Sequence, residues 1–522
     1  MTRLRSYRRA LFAWMFASVL LSGVAAGQQG TPDEPGKGTD QAKEKPLPVP
    51  AETVSTTKHE LSLNGQMIRY TATAGNLLIA DDKDKPNASI FYAAYTQDGV
   101  DAKTRPVTFF YNGGPGAATI WLHMGSFGPV RVLTESPNPT GPAPFRTVAN
   151  DDSLLDKSDL VFIDAPLCGY SRAVGAGKVK DFAGVDQDVE AFHKFVVKWL
   201  THYGRWGSPK YLFGESYGTP RSAALVASLQ DDGIEFNGVV LLSSILNYGV
   251  RTPGYDLTSM VYLPSYAAIA WYQNKVPHGG PNGDTLEQFV EHARQFDRTV
   301  YMPALAEGDR LPAAEMNDVA TKLSVFTGLS VQYLKETKLR IEPTRFRKEL
   351  LRDQERTMGR YDARFLGYDY DSAGETPGYD ASDTGISGAY VAAFHEYIQH
   401  DLKYMSEEPY HLSGPGVNEA WDWKHKPSGG RGQTQLMPNT AQDLADALRK
   451  NPHLKVYSAN GWFDLATPFY ETEWDLGHMS LPDAIKGNVQ FGYYPAGHMV
   501  YLNVDALKQF KTDLSKWYDE RK

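Results

Sequence analysis

The sequence predicts an α/β protein: a mostly parallel sheet with helices on both faces and a large helical cap inserted in its middle. Two observations carry this reading. Short apolar runs alternate with stretches of helical spacing from about residue 90 to 242, and the alternation returns from Lys455 to the C-terminus. Between about 250 and 435 it is lost, and the chain reads as helical and loop-rich, dense in Tyr, Trp, Arg and Glu. The expected division is a leader over 1–27, a linker over 28–51, the first part of the core over 52–249, the insertion over 250–435 and the second part of the core over 436–522.

Taken in order, Arg3, Arg5, Arg8 and Arg9 precede an apolar stretch, Ala10 to Leu21, and small residues follow at Ala25, Ala26 and Gly27. That is the pattern of a removable export leader, too short for a membrane span, so a secreted or periplasmic protein without stable membrane insertion is expected. Gln28 to Pro50 has almost no apolar residues and cannot bury enough surface to order itself. Asn64-Gly65, between alternating segments, signals a hairpin. Strands are expected at Ile90–Tyr95, Val107–Tyr111, Leu160–Ile163, Lys210–Phe213, Gly238–Leu242, Lys455–Ala459 and Val489–Tyr494. Helices are expected through Val189, Phe192, Val196 and Trp199, over Ala223–Leu229, and over Ala506–Trp517.

Composition excludes some classes. The 522 residues carry a formal net charge of -9, against the basic excess of a nucleic-acid binder. One cysteine, Cys168, permits no intramolecular disulfide, so stability rests on the core. No His-Glu-x-x-His zinc pattern occurs, and the reading calls for neither metal nor cofactor. Asp369, Asp371, Gly374 and Asp380 only loosely mimic a calcium loop, and a solvated acidic loop is the better reading.

Chemistry enters at Gly214-Glu215-Ser216-Tyr217-Gly218, a Gly-x-Ser-x-Gly between a strand and a helix. Glycines on both sides of a tight turn let neighbouring backbone approach, and the turn holds the serine hydroxyl out at the strand's carboxyl end. Such a nucleophile requires a base, and the base an orienting carboxylate, in the chain order Ser, acid, His. His498 follows the strand Val489–Tyr494 and sits at its carboxyl end, whereas His478 lies in a helix or loop and His453 precedes a strand. Asp464 follows the strand Lys455–Ala459, and Asp475 and Asp483 are less well placed.

Asn112-Gly113-Gly114-Pro115-Gly116, the Ser216 motif, Asn460-Gly461-x-x-Asp464-x-x-Thr467-Pro468 and Gly497-His498-Met499 together resemble the serine carboxypeptidase (S10) family, in that family's order. The resemblance implies an α/β-hydrolase fold and a peptide substrate shortened from its C-terminus. It also implies Ser216 as nucleophile, His498 as base and Asp464 as acid, with an oxyanion hole from the N–H groups of Gly114 and Tyr217. Asn112, Gly113 and Glu215 are then substrate-binding, Glu215 accepting the terminal carboxylate only when protonated, because two carboxylates repel. The family's second carboxyl, the usual proton partner of Glu215, is here Ser126. That keeps a second reading open, an esterase or acyltransferase using the same triad. A non-catalytic binding protein is the third, disfavoured by the complete triad.

Overall fold

The computed structural model describes residues 45–278, 283–427 and 433–520. The expected leader and most of the expected linker lie outside the described residues. Nine strands run through one sheet: β1 (Val54–Leu63), β2 (Gln66–Ala80), β3 (Pro86–Gln97), β4 (Val107–Tyr111), β5 (Asp159–Ile163), β6 (Lys210–Glu215), β7 (Gly238–Leu242), β8 (Lys455–Gly461) and β9 (Val489–Tyr494). Their order is β1-β2-β3-β5-β4-β6-β7-β8-β9, and the two-residue strand Arg172–Ala173 pairs with β3 outside this path. From β5 to β9 every pairing is parallel, while β1, β2, β3 and β5 pair antiparallel. Each expected strand is present. The Asn64-Gly65 hairpin is present too, with φ of 52° and 76°, the positive pair that a two-residue turn between twisted strands requires.

The parallel strands read as continuous apolar runs because both faces are covered. Val107, Phe109, Leu212, Val239, Leu241 and Val456 share one core with the helices Val185–His202, Gly218–Asp231 and Ala441–Lys450. Their neighbours Phe110, Phe162, Phe213, Val240, Leu242 and Ala459 point the other way. They pack with the helices Ile120–Gly125, Ser387–His400 and Val504–Asp519. The two-residue side-chain period thus splits the sheet's residues between two cores.

A third core is almost wholly helical. Val250 to Ala363, including the helices Leu257–Tyr272, Leu286–Phe296 and Ala313–Thr327, pack on one another and on Trp462, Phe463, Leu465, Phe469 and Tyr470. The stretch expected as an insertion over 250–435 therefore divides: its first two thirds form this core, while Ser387–His400 and Val417–Trp421 join the two cores of the sheet. From Pro46 onward the chain is one compact unit, and Leu47 exchanges backbone hydrogen bonds with Gly175.

Candidate active site

Ser216 stands between the end of β6 and the helix Gly218–Asp231 with φ of 59°, a left-handed conformation costly for a residue with a Cβ. Three hydrogen bonds hold it there. Its N–H donates to Leu242 O (3.0 Å), and its carbonyl accepts from the N–H (2.8 Å) and hydroxyl (2.7 Å) of Thr219. A Cβ on Gly214 would overlap Gly218 O, and one on Gly218 would come within 2.8 Å of Tyr111 O, which is why glycines flank the turn. Ser216 is partly exposed while Gly214, Glu215, Tyr217 and Gly218 are buried.

The glycine loop after β4 is pressed onto this turn. A Cβ on Gly113 would overlap the backbone nitrogen of Tyr217. Arg221, in the helix after Ser216, donates to Asn112 O (2.8 Å) and grips Asp188 through two hydrogen bonds of 2.6 and 3.0 Å, pinning loop to helix. Among the described residues the backbone N–H groups of Gly114 and Tyr217 have no hydrogen-bond acceptor.

His498 and Asp464 meet beside it. Asp464 Oδ2 lies 2.7 Å from His498 Nδ1, with both side chains almost wholly buried. The N–H groups of Ala466 (2.7 Å) and Thr467 (3.0 Å) donate to the other carboxylate oxygen. The Thr467 hydroxyl bridges the pair, donating to Asp464 Oδ2 at 2.8 Å and lying 3.1 Å from His498 Nδ1, with Ser243 O 2.9 Å away. Backbone fixes the histidine at both ends: its N–H donates to Tyr361 O (2.6 Å), and its carbonyl accepts from the Ser243 hydroxyl (2.6 Å). Ser216 hangs from Leu242 and His498 from Ser243, so consecutive residues at the end of β7 suspend both. No hydrogen bond joins Ser216 to His498 among the described residues, as is common before substrate tightens such a site.

Glu215 immediately precedes Ser216 and is 3% exposed. Burial pushes its carboxyl up to about 7, against the opposing pull of His498 and of hydrogen bonds from Tyr501 and Asn112. The Tyr501 hydroxyl donates to Glu215 Oε2 at 2.8 Å. Ser126 is buried and turned away, its hydroxyl donating to Leu122 O (2.6 Å).

The rejected candidates lie elsewhere. His478 stacks on Trp474 at an exposed site, and His453 is exposed. Asp475 accepts the N–H groups of Leu246 and Asn247 (3.0 Å each), and Asp483 pairs with Lys486. In the acidic loop Asp369 pairs with Lys348, and Asp371 turns back on the N–H groups of Ala373 and Gly374. Cys168 is fully buried with its thiol raised by burial, packed 3.4 Å from Pro166 O. Sequence reasoning gave no role to Thr467, although it stands in the quoted Asp464 motif, and it passed over Tyr501 and Ser243, which no motif marks.

A parallel sheet of this order with Ser216, Asp464 and His498 at its carboxyl end defines an α/β-hydrolase. Residues 67–261 match the family model described as serine carboxypeptidase. Serine carboxypeptidase-like 8 of Arabidopsis thaliana is 27% identical over 162 residues, 31% of this chain and 35% of that protein. Carboxypeptidase Y homolog A of Penicillium rubens is 26% identical over 178 residues, 33% of this chain and 30% of that protein. The chain thus matches about a third of the length of these relatives. Among solved structures, a prohormone-processing carboxypeptidase of Saccharomyces cerevisiae superposes with a TM-score of 0.52 at 16% identity, covering 86% of this chain and 91% of that one, a likeness of fold.

Proposed function

We propose that the protein is a serine-type carboxypeptidase that removes C-terminal residues from peptides through an acyl-enzyme on Ser216. The observation that carries the reading is the buried Asp464–His498 pair, suspended beside Ser216 from the same strand end. With Nδ1 held by Asp464, the imidazole presents Nε2 to the serine. His498 takes the Ser216 proton as Oγ attacks the scissile carbonyl. The N–H groups of Gly114 and Tyr217 receive the oxyanion, and His498 then protonates the departing amine. Water attacks the acyl-enzyme by the same steps and frees the shortened peptide. Asn112, Gly113 and Glu215 receive the terminal carboxylate. The helical core of Val250 to Ala363 is read as the cap, and export with removal of the leader completes the proposal.

The second reading, ester hydrolysis or acyl transfer with the same triad, is favoured by Ser126, which offers Glu215 no second carboxyl. One experiment separates them. A fluorophosphonate is expected to label the wild type but not Ser216→Ala, and mass spectrometry to show stepwise loss of residues from free-acid peptides and none from C-terminal amides. Equal cleavage of both peptides, or turnover of esters alone, sinks the carboxypeptidase reading and leaves the hydrolase.

A further inference from the structure

We propose that Tyr501 orients the Glu215 carboxyl for the substrate's terminal carboxylate, in a carboxyl–phenol pair that stands where a second acidic group would otherwise be needed. The inference rests on the preceding reading of Glu215 and Asn112 as the carboxylate's receptors.

The packing leaves the tyrosine this place. A Cβ on Gly125 would fall 2.6 Å from two ring carbons of Tyr501 and would overlap the Tyr390 hydroxyl, so the backbone before Ser126 is pressed against the two rings. Ser126 cannot serve, because its hydroxyl is committed to Leu122 O. Tyr501 lies in the turn Val500–Leu502, directly after His498 and Met499, and is 3% exposed. One short segment, His498 to Tyr501, therefore carries both the base and the partner of Glu215. The polar groups facing Glu215 are Asn112 from the glycine loop, Tyr390 from Ser387–His400, Asp464 from the loop after β8, and His498 and Tyr501 from the segment after β9.

A phenol and a second carboxyl would act differently. Two carboxyl groups sharing one proton carry a negative charge, which opposes an incoming carboxylate. Burial and the neighbouring Glu215 drive the Tyr501 hydroxyl far above its ordinary range, so it keeps its proton and acts as donor. With Glu215 protonated the pair is neutral, and the acid's own proton is available to the substrate. With Glu215 ionised the pair is anionic and repels it. Substrate binding thus depends on a single titration, set by burial and tempered by the Tyr501 and Asn112 hydrogen bonds.

The test measures kcat and KM from pH 5 to 9 for one peptide as free acid and as amide, with wild type, Tyr501→Phe and Glu215→Gln. For the free acid, KM in the wild type is expected to rise about tenfold per pH unit above a single midpoint. Glu215→Gln is expected to lose that limb. Tyr501→Phe removes a donor to the carboxylate, so the limb moves to higher pH, and below it KM rises more than kcat falls. An unmoved limb with acid-only cleavage overturns the role of Tyr501 and leaves the carboxypeptidase reading standing; cleavage of acid and amide alike overturns both. Infrared titration of Ser216→Ala against Ser216→Ala/Glu215→Gln covers the case in which Tyr501→Phe does not fold. A protonated-carboxyl band lost in one step near pH 7 supports the pair, and a band already absent at pH 5 overturns it.

Discussion

The sheet's carboxyl end and the helical core of Val250 to Ala363 treat buried charge in opposite ways. At the sheet's carboxyl end, Asp464 accepts from two backbone N–H groups and the Thr467 hydroxyl besides facing His498, and Asp188 is gripped by Arg221. In the helical core Asp297 is fully buried at the start of a π-helical turn, Asp297–Tyr301, and neither carboxylate oxygen has a hydrogen-bond partner among the described residues. Burial pushes that carboxyl up to about 8. The sheet end is held by more bonds than its shape requires, which is how a left-handed serine and a buried Asp–His pair persist. The helical core carries a local conflict, which is tolerable where packing rather than an atomic constellation is needed.

That contrast can be broken from either side. The largest effect is expected at Asp464: an Asn there preserves shape but favours the wrong imidazole tautomer. The kcat of Asp464→Asn should fall about 10⁴-fold with KM little changed. A loss under tenfold would mean that His498 does not depend on that carboxylate. Thr467→Val removes the bridging hydroxyl while leaving the Ala466 and Thr467 N–H groups in place. A fall of about tenfold in kcat is expected, since a hydrogen bond to a charged group contributes about 1.5–3 kcal/mol and two backbone donors remain. If its rate equals that of the wild type, the hydroxyl only fills space.

The smallest effect is on stability rather than rate. Asp297 has a folded-state pKa raised from 3.8 to about 8. Between those values the folded state holds a proton that the unfolded chain releases, so stability falls as pH rises through this window and is lowest above it. Asp297→Asn should therefore raise the melting temperature more at pH 8.5 than at pH 5. The expected gain is about 2 kcal/mol at the higher pH, the usual scale for a buried polar group without a partner. Equal shifts at both pH values would show that the carboxyl is hydrated or paired.

Much of the sheet was legible beforehand because its strands are short, apolar and β-branched or aromatic, and because Asn64-Gly65 can adopt the positive φ of its turn. The placing of Ser216, Asp464 and His498 was legible because each lies within a few residues of a strand's carboxyl end, where sheet order brings residues together. Other features left no such trace. Tyr501 reaches Glu215 from 286 positions away through a turn no periodicity reveals. Thr467 bridges Asp464 and His498 only in the folded loop that follows β8. The helix Ser387–His400 reads like its neighbours in the insertion, yet it joins the sheet's core: Tyr390 meets Trp121, and Phe394 and Tyr397 meet His123, whose ring stacks on Phe162 of β5. Such partners are chosen by three-dimensional packing, not by spacing.

Cys168, the chain's one cysteine, is sealed against Pro166 and lies where a Cβ on Gly414 would come within 3.2 Å of its sulfur. A maleimide or spin-label reagent should pass it by in the folded protein. Any cysteine placed on the surface, at Tyr370 for example, then becomes a unique handle, and a single dye or probe can report motion of the acidic loop without a cysteine-free background having to be made first.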